Sequence, residues 1–340
     1  MYYGIGLLNF PNFQHISSNG SSSLQVLTSN MSPPSSSQTC AQLSVYPPRG
    51  TNSWNTKDSL GLTILFLGLG ALLLVILCVC MWCGPLSVSS PWVLIVTTLL
   101  YIGLLVGLLY HYPIAGLYAI SAPVTLVTRT PHRLPVSAYF PSHIHFERAW
   151  PRLRREYDRF LQRHPRTKLP FTKDSYNQYN AKITVDTNTT TNRGWRIVDL
   201  KLGDQTTSVC RHYFPTLTAL LEDHPYIVSC VLSVLDGRTR IPEHVGYSKY
   251  VMRYMLPLEV PKGDVRLCVN GDTLRWTEGK SVLWDDTFPH MVFNHTDEPR
   301  AVLYMDVLRY RWTAPVFRTL LKHTSVIQDE IRRTEMLVPV

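Results

Sequence analysis

The alternation of apolar and polar positions divides the chain into three zones. Residues 1–58 are rich in Ser, Asn and Pro and hold too few apolar residues in register to bury a core, so they read as a disordered tail. The second zone, 59–120, is almost wholly apolar. Leu60 to Cys83 reads LGLTILFLGLGALLLVILCVCMWC. At about 1.5 Å per residue it reaches roughly 36 Å, enough to cross a hydrocarbon layer of about 30 Å. Trp92 to Tyr110, WVLIVTTLLYIGLLVGLLY, is a shorter candidate span. A linker over 121–135 leads to the third zone, 136–340, where the period changes. Phe146 to His164 sets Phe146, Trp150, Leu153, Tyr157, Phe160 and Leu161 on one helical stripe. Its opposite face is rich in Arg, either as a solvated surface or as a contact for anionic lipid heads beside the anchor. Residues 177–191 read as a polar loop or hairpin, and Pro215 to Asp223 as a helix begun by its proline. Short strands follow: Ile227–Leu235, Tyr250–Val260, Asp264–Asn270, Thr273–Trp276, Ser281–Trp284, His290–Asn294 and Ala301–Arg309. Turns such as VNGD and TEGK separate them, and the set suggests a sandwich or jelly roll. Ala314 to Met336 reads as one or two closing helices.

Charge sharpens this division. Only 17% of the residues are charged, and none of the seventy from Ser59 to Thr128 is Asp, Glu, Lys or Arg. That argues against a wholly soluble protein and places the chemistry after about residue 130. Arg49 and Lys57 precede the apolar zone, and Arg129, Arg133 and Arg148 follow it. With two spans, both ends share a side, which the excess of basic residues makes cytosolic. The start, MYYGIGLLNF, lacks the basic region of a secretory signal, so the membrane run is the expected targeting element. The net charge of +9 is diffuse and no recognition motif accompanies it, so nucleic acid is not an expected partner. Sequons stand at Asn19, Asn30, Asn188 and Asn294, and would carry no glycan on a cytosolic face. Cys78, Cys80 and Cys83 are apolar filling or palmitoylation sites. Cys210, Cys230 and Cys268 lack metal-site spacing and read as buried thiols of a reducing compartment.

Two histidines bracket the strands: His244 in IPEHVG and His290 in DDTFPHMVFN. A single histidine on a strand is most simply a core or surface residue. Two that a jelly roll brings to one barrel mouth offer neutral imidazoles to Fe(II). Glu243 lies beside His244, but on a strand it points to the opposite face and is no ligand.

Several blocks resemble the aspartyl/asparaginyl β-hydroxylase family of Fe(II)- and 2-oxoglutarate-dependent oxygenases, which includes membrane-anchored lipid A acyl-chain hydroxylases. FPSHIHFERAWPRLRREYDRFL is similar to its opening helix and GWRIVDLKL to its first strand. FPTLTALLEDHPYIVSCVLSVLDGRTRIPEHVG resembles the first-histidine block, VMRYMLPLEVP the arginine strand, and WTEGKSVLWDDTFPHMVFNHTDEPRAVLYMDVLR the second-histidine block. The resemblance implies a mainly β double-stranded β-helix (jelly roll) with flanking helices, preceded by transmembrane helices. It implies His244 and His290 as iron ligands, and Arg300 as the group that binds the distal carboxylate of 2-oxoglutarate. Ser233 would assist Arg300, and Arg253 would approach the cosubstrate's other carboxylate. Asp286 would orient a metal ligand, whereas Asp285 reads as a turn residue. Trp195 would line the substrate mouth or pack in the core.

Three positions depart from the pattern. Gly246 stands two residues after His244, where many 2-oxoglutarate oxygenases place a carboxylate ligand. The animal members also have Gly there. Met255 replaces the histidine of the usual Arg-x-His strand, and Asp236-Gly237 replaces Pro-Gly. The resulting expectation is a membrane-anchored dioxygenase that uses Fe(II), 2-oxoglutarate and O2. It would hydroxylate an unactivated C–H bond of a peptidyl Asp/Asn or of a lipid acyl chain at the bilayer. The alternative is a non-catalytic membrane adaptor that retains the fold.

Overall fold

The computed structural model describes residues 38–44, 128–170, 194–203, 205–246 and 248–315, with isolated positions at 96, 99, 100, 103, 124, 184, 185, 318 and 337. The Ser/Pro-rich tail before residue 38, the first apolar run, most of the second, and nearly all of the closing helices lie outside the described residues. Among the described residues no helix is long and apolar enough to cross a membrane.

Eleven strands are described: β1 (Thr184–Val185), β2 (Trp195–Leu202), β3 (Gln205–Thr206), β4 (Ile227–Leu235), β5 (Thr239–His244), β6 (Val251–Glu259), β7 (Val265–Val269), β8 (Asp272–Arg275), β9 (Val282–Trp284), β10 (His290–Asn294) and β11 (Arg300–Leu308). They form two antiparallel sheets, in the orders β1-β5-β10-β7-β8 and β3-β2-β4-β11-β6-β9. From β4 onward the chain crosses between the sheets at every step except the β7–β8 hairpin, which is the connectivity of a jelly roll. The strand pattern anticipates all seven strands expected after residue 226, within a residue at each end. It misses β5, where Arg240, Pro242 and Glu243 break any apolar alternation.

The helices are α1 (Cys40–Leu43), α2 (Val136–Tyr139), α3 (His143–Arg163), α4 (Ser208–Tyr213) and α5 (Pro215–Glu222). Helix α3 buries Phe146, Leu153, Tyr157 and Phe160, the stripe its period predicts. These residues share a core with the outer face of the six-stranded sheet, Leu232, Tyr254, Leu256, Leu303 and Met305 among them. A second core fills the space between the sheets, with Ile197, Val231, Leu267, Val292, Val302 and Tyr304. Strand β11 is therefore covered on both faces and buried at all nine positions. Polar clamps fix the helix on its sheet. Trp150 Nε1 donates to the Pro257 carbonyl at 2.8 Å, and Tyr157 OH to Glu259 at 2.8 Å.

Two features depart from the sequence reading. Asp285 does open a turn, its carbonyl accepting from Phe288 N, but it is more than a turn residue. It is wholly buried and accepts from Lys249 Nζ at 2.6 Å, Arg309 Nη2 at 2.8 Å, Thr287 Oγ1 at 2.5 Å and Thr130 Oγ1 at 3.1 Å. It thereby ties the linker, the start of β6 and the end of β11 to the loop between β9 and β10. Cys268 is no free thiol. It forms a disulfide with Cys40, 228 residues away in sequence, and binds the short segment 38–44 over Met291 and Phe293 on the outer face of the smaller sheet. Ser44 Oγ also donates to Glu243, and Arg266 donates to the Gln38 carbonyl at 2.8 Å. Cys210 and Cys230 are buried free thiols, as expected.

Removing the Asp285 carboxylate strands two buried cations, so Asp285→Ala should destabilise the fold by about 3–5 kcal/mol. Asp297→Ala, which breaks an exposed pair with Arg238, should cost less than about 1 kcal/mol. Thermal and urea unfolding of the two variants side by side checks this; equal losses would mean that Asp285 anchors nothing.

Candidate active site

His244 closes β5 and His290 opens β10. The antiparallel register pairs them directly, so 46 residues of sequence separation reduce to 4.1 Å between ring centroids. A register shift here sets two residues of β5, Pro242 and Glu243, opposite the single Met291 of β10, a bulge in β5 just before His244. Each ring is held the same way: His244 Nδ1 lies 2.8 Å from the Pro242 carbonyl, and His290 Nδ1 lies 2.9 Å from the Phe288 carbonyl. A carbonyl only accepts, so each Nδ1 carries the proton and each Nε2 keeps its lone pair. Burial pushes the His244 pKa down to about 3 and that of His290 to about 4, so both rings are neutral at physiological pH. Two oriented neutral imidazoles suit Fe(II). Among the described residues no third His, Cys, Asp or Glu joins them in a set that would enclose a metal.

Asp286 lies alongside. A Cβ at Gly246 would overlap its carboxylate, and Gly246 N donates to its backbone carbonyl at 2.6 Å. The room that a side chain two residues after His244 would take is thus filled by a carboxylate delivered from the other histidine's loop. Oδ2 of Asp286 accepts from Arg253 Nη2 at 2.7 Å, while Oδ1 is buried without a hydrogen-bond partner among the described residues. Arg253 reaches Asp306 with its other terminal nitrogen at 3.2 Å and lies 4.4 Å above the Tyr304 ring. The expectation that Arg253 approaches a cosubstrate carboxylate meets a guanidinium already engaged by two carboxylates. Burial raises the pKa of Asp306, and Ser229 Oγ donates to it at 2.7 Å.

Arg300 contrasts with Arg253. It begins β11 fully buried, its guanidinium 4.8 Å above the Trp276 ring, with Nε and Nη1 lacking any acceptor among the described residues. Desolvation alone lowers its pKa, to about 9, so it stays charged at neutral pH. A buried cation without a counter-charge is costly, and a carboxylate ligand would relieve it. Ser233 stands on β4 opposite Val302 and accepts from Trp195 Nε1 at 2.9 Å, which places Trp195 at the edge of the core rather than free at a mouth. Met255 packs with Tyr304 and Val282 in the core between the sheets.

The sequence reading overlooked Trp276, Tyr304 and Asp306. The signal was in β11, where Arg300, Val302, Tyr304 and Asp306 recur at every second position and so share one face. A cavity of about 270 Å³ between the edges β8 and β9 is lined by Arg133, Leu274, Ser281 and Val282, and neither histidine nor Arg253, Asp286 or Arg300 lines it.

Residues 147–310 match the family profile described as Aspartyl/Asparaginyl beta-hydroxylase. The chain is 29% identical over 181 residues to the ornithine lipid ester-linked acyl 2-hydroxylase of Rhizobium tropici, covering 51% of this chain and 59% of that protein. It is 38% identical to aspartate beta-hydroxylase domain-containing protein 2 of Mus musculus over 22% of this chain and 23% of that one. It is 28% identical to human aspartyl/asparaginyl beta-hydroxylase over 31% of this chain and 15% of that one. The chain thus spans less than two thirds of the length of each of these relatives. A solved prolyl-4-hydroxylase from Pseudomonas putida is 14% identical with a TM-score of 0.31, covering 57% of this chain and 99% of that one, a likeness too remote to carry argument. Through residues 147–310, which hold both histidines, the buried arginine and both sheets of the barrel, the chain belongs to the aspartyl/asparaginyl β-hydroxylase family.

Proposed function

We propose that this protein is a membrane-anchored hydroxylase dependent on Fe(II), 2-oxoglutarate and O2. The observation that carries the reading is Arg300, a buried guanidinium without a carboxylate partner among the described residues, in the same barrel as two imidazoles each held through Nδ1 by a backbone carbonyl. His244 and His290 would hold the metal, and their Nδ1 bonds fix the rings in the ligating tautomer. Arg300 would receive the distal carboxylate of 2-oxoglutarate, covered by Trp276, with Ser233 beside it on β4. Bound iron supplies the chemistry that couples oxidation of 2-oxoglutarate, to succinate and CO2, with hydroxylation of a C–H bond by O2. Arg253 serves by position: it holds Asp286 against the space beside Gly246 and is itself held by Asp306. Val302, Tyr304 and Met255 give the barrel an apolar wall that excludes water.

The substrate is a peptidyl Asp/Asn side chain or a lipid acyl chain. The names of the human and Rhizobium relatives supply these two classes. Succinate formation by the reconstituted protein, with peptides and lipids offered separately, distinguishes them.

The anchor rests on the two apolar runs. Val96, Leu99 and Leu100 of the second run are helical and 51%, 61% and 59% exposed, as lipid-facing residues would be. The disulfide adds a constraint. Cys40 precedes both runs and Cys268 follows them, so their bond requires an even number of crossings between them. That favours two spans over one. Disulfides persist in oxidising compartments, so the bond also favours a lumenal or external domain over the cytosolic side inferred from flanking charge. Asn294 is fully buried and donates to the Leu235, Asp236 and Glu298 carbonyls, so it would carry no glycan on either side.

His244→Ala should lose iron, because it leaves a single imidazole and the carboxylate beside Gly246, Asp286, is held by Arg253. Arg300→Lys should keep iron and fold but bind 2-oxoglutarate about tenfold or more weakly, since it loses the planar fork. Metal analysis and anaerobic titration read both, and a folded His244→Ala protein with full iron and turnover would falsify the site.

Gly246→Asp alone should also lose iron, because two carboxylates cannot share the room that Asp286 fills. Combining it with Asp286→Gly should restore iron binding. No recovery in the folded double variant would mean that position 246 and Asp286 do not compete for one space.

For topology, chain taken from sealed microsomes and alkylated in denaturant should yield a Cys40–Cys268 peptide pair, and added protease should leave the domain intact. A fully alkylated Cys268 with a digested domain would restore the cytosolic placement.

A further inference from the structure

We infer that the arginine face of α3, together with Tyr139, Ile144 and Trp312, is a docking surface for a bilayer with anionic headgroups. The inference rests on the reading of the apolar runs as membrane spans, and the test below separates the two.

The first observation is charge. Arg148, Arg152, Arg155, Arg159 and Arg163 follow one another at helical spacings of three and four and are all exposed. They lie opposite the buried stripe of Phe146, Leu153, Tyr157 and Phe160. Among the described residues none of the five has an acidic partner; Asp158, the acid on this side of the helix, is taken by Arg154 at 3.0 Å. A solvated helix face more often alternates its signs. This one presents a single sign along its whole length.

The second observation is apolar and independent of the first. Beyond the second apolar run, the described residues expose only three large hydrophobic side chains: Tyr139 at 36%, Ile144 at 37% and Trp312 at 79%. Trp312 is far in sequence from the other two, yet each of the three stands within two residues of a side chain that touches Tyr226. Ser142 Oγ lies 2.7 Å from Tyr226 OH, Phe140 packs on its ring at 6.1 Å, and Arg311 lies 4.2 Å above it. Ile144 also continues the arginine face, four residues before Arg148.

The third observation is where the chain leaves the apolar zone. Val124 is helical, Thr128 N donates to its carbonyl at 2.8 Å, and Thr128 Oγ1 lies 2.8 Å from Tyr310 OH. Tyr310 is two residues from Trp312. The exposed aromatic and aliphatic residues therefore sit where the chain would leave the bilayer, with the arginines running on from them. Trp and Tyr favour the headgroup level, and arginines beside them favour negative lipid heads. A soluble acidic partner would meet the charges but would not account for apolar exposure at the point of membrane exit.

The test uses the full chain reconstituted in nanodiscs of phosphatidylcholine with or without phosphatidylglycerol, with brominated lipid as the quencher. The difference in emission between wild type and Trp312→Phe isolates Trp312. The expected result is strong quenching of that difference in anionic discs and weak quenching in neutral ones, with loss at high salt. Each arginine near an anionic surface contributes about fivefold in partition, so Arg148→Glu, Arg155→Glu and Arg159→Glu together should reduce the docked state by on the order of a hundredfold. An unchanged unfolding midpoint checks that the variant folds, and high salt tests the wild type without substitution. Quenching that ignores lipid charge, salt and the triple replacement overturns the proposal. A chain that resists alkaline carbonate but shows no Trp312 quenching sinks the docking surface and keeps the spans. A chain stripped by carbonate whose Trp312 is still quenched by anionic discs sinks the spans and keeps the surface.

Discussion

The arrangement of this barrel depends on one buried carboxylate. Asp285 has no exposed surface and sits between Lys249 and Arg309, both almost or fully withdrawn from water. Charges so placed repay their desolvation only when the hydrogen bonds are nearly complete, and two hydroxyls supply the remainder. The consequence is positional. The loop that carries Asp285 leads through Asp286 to His290, so an ion cluster that touches no ligand decides where a candidate ligand stands. Segments distant in sequence meet at it, and for that reason the loop between β9 and β10 can be irregular without being loose.

The interior holds two arginines in opposite circumstances. Arg253 is shared by Asp286 and Asp306, and its pKa is raised well above the ordinary value by those charges. Among the described residues Arg300 has no such neighbour, and desolvation lowers its pKa. Stability alone would favour pairing both or burying neither. A fold that saturates one and leaves the other without a carboxylate has separated a scaffolding cation from one suited to a ligand. That separation follows β11, whose inner face runs from Arg300 at one end, past Val302 and Tyr304, to Asp306 at the other.

Much of this was legible in the chain. Short runs rich in Val, Leu, Tyr and Met between turn residues marked the strands from Ile227 onward, and the spacing of Phe146, Leu153, Tyr157 and Phe160 marked α3, because each pattern is local. Partners were less legible. That Asp285 would be an anchor and Asp286 its active-site neighbour depends on which cations arrive from β6 and β11, and adjacency in sequence says nothing of that. The Cys40–Cys268 bond joins a polar tail to the middle of a barrel strand, and neither cysteine had a spacing signal. Strand β5 was hidden because its outward residues are charged and its inward ones few. Arg253 could be placed on a strand by pattern, but its partners could not.

Gly246 shows how the two histidine strands are coupled. A glycine at this position in isolation reads as a lost ligand. In the barrel, the space its side chain would take belongs to the Asp286 carboxylate, which arrives from the loop before the second histidine. The place for a carboxylate beside Gly246 is therefore filled from the loop between β9 and β10, with Arg253 as the brace. A group held in this way through Oδ2 keeps its other oxygen, Oδ1, without a hydrogen-bond partner among the described residues. Its position is then governed by Arg253 and Asp306, so the negative charge beside the imidazoles is set by the packing of β6 against β9 and β11.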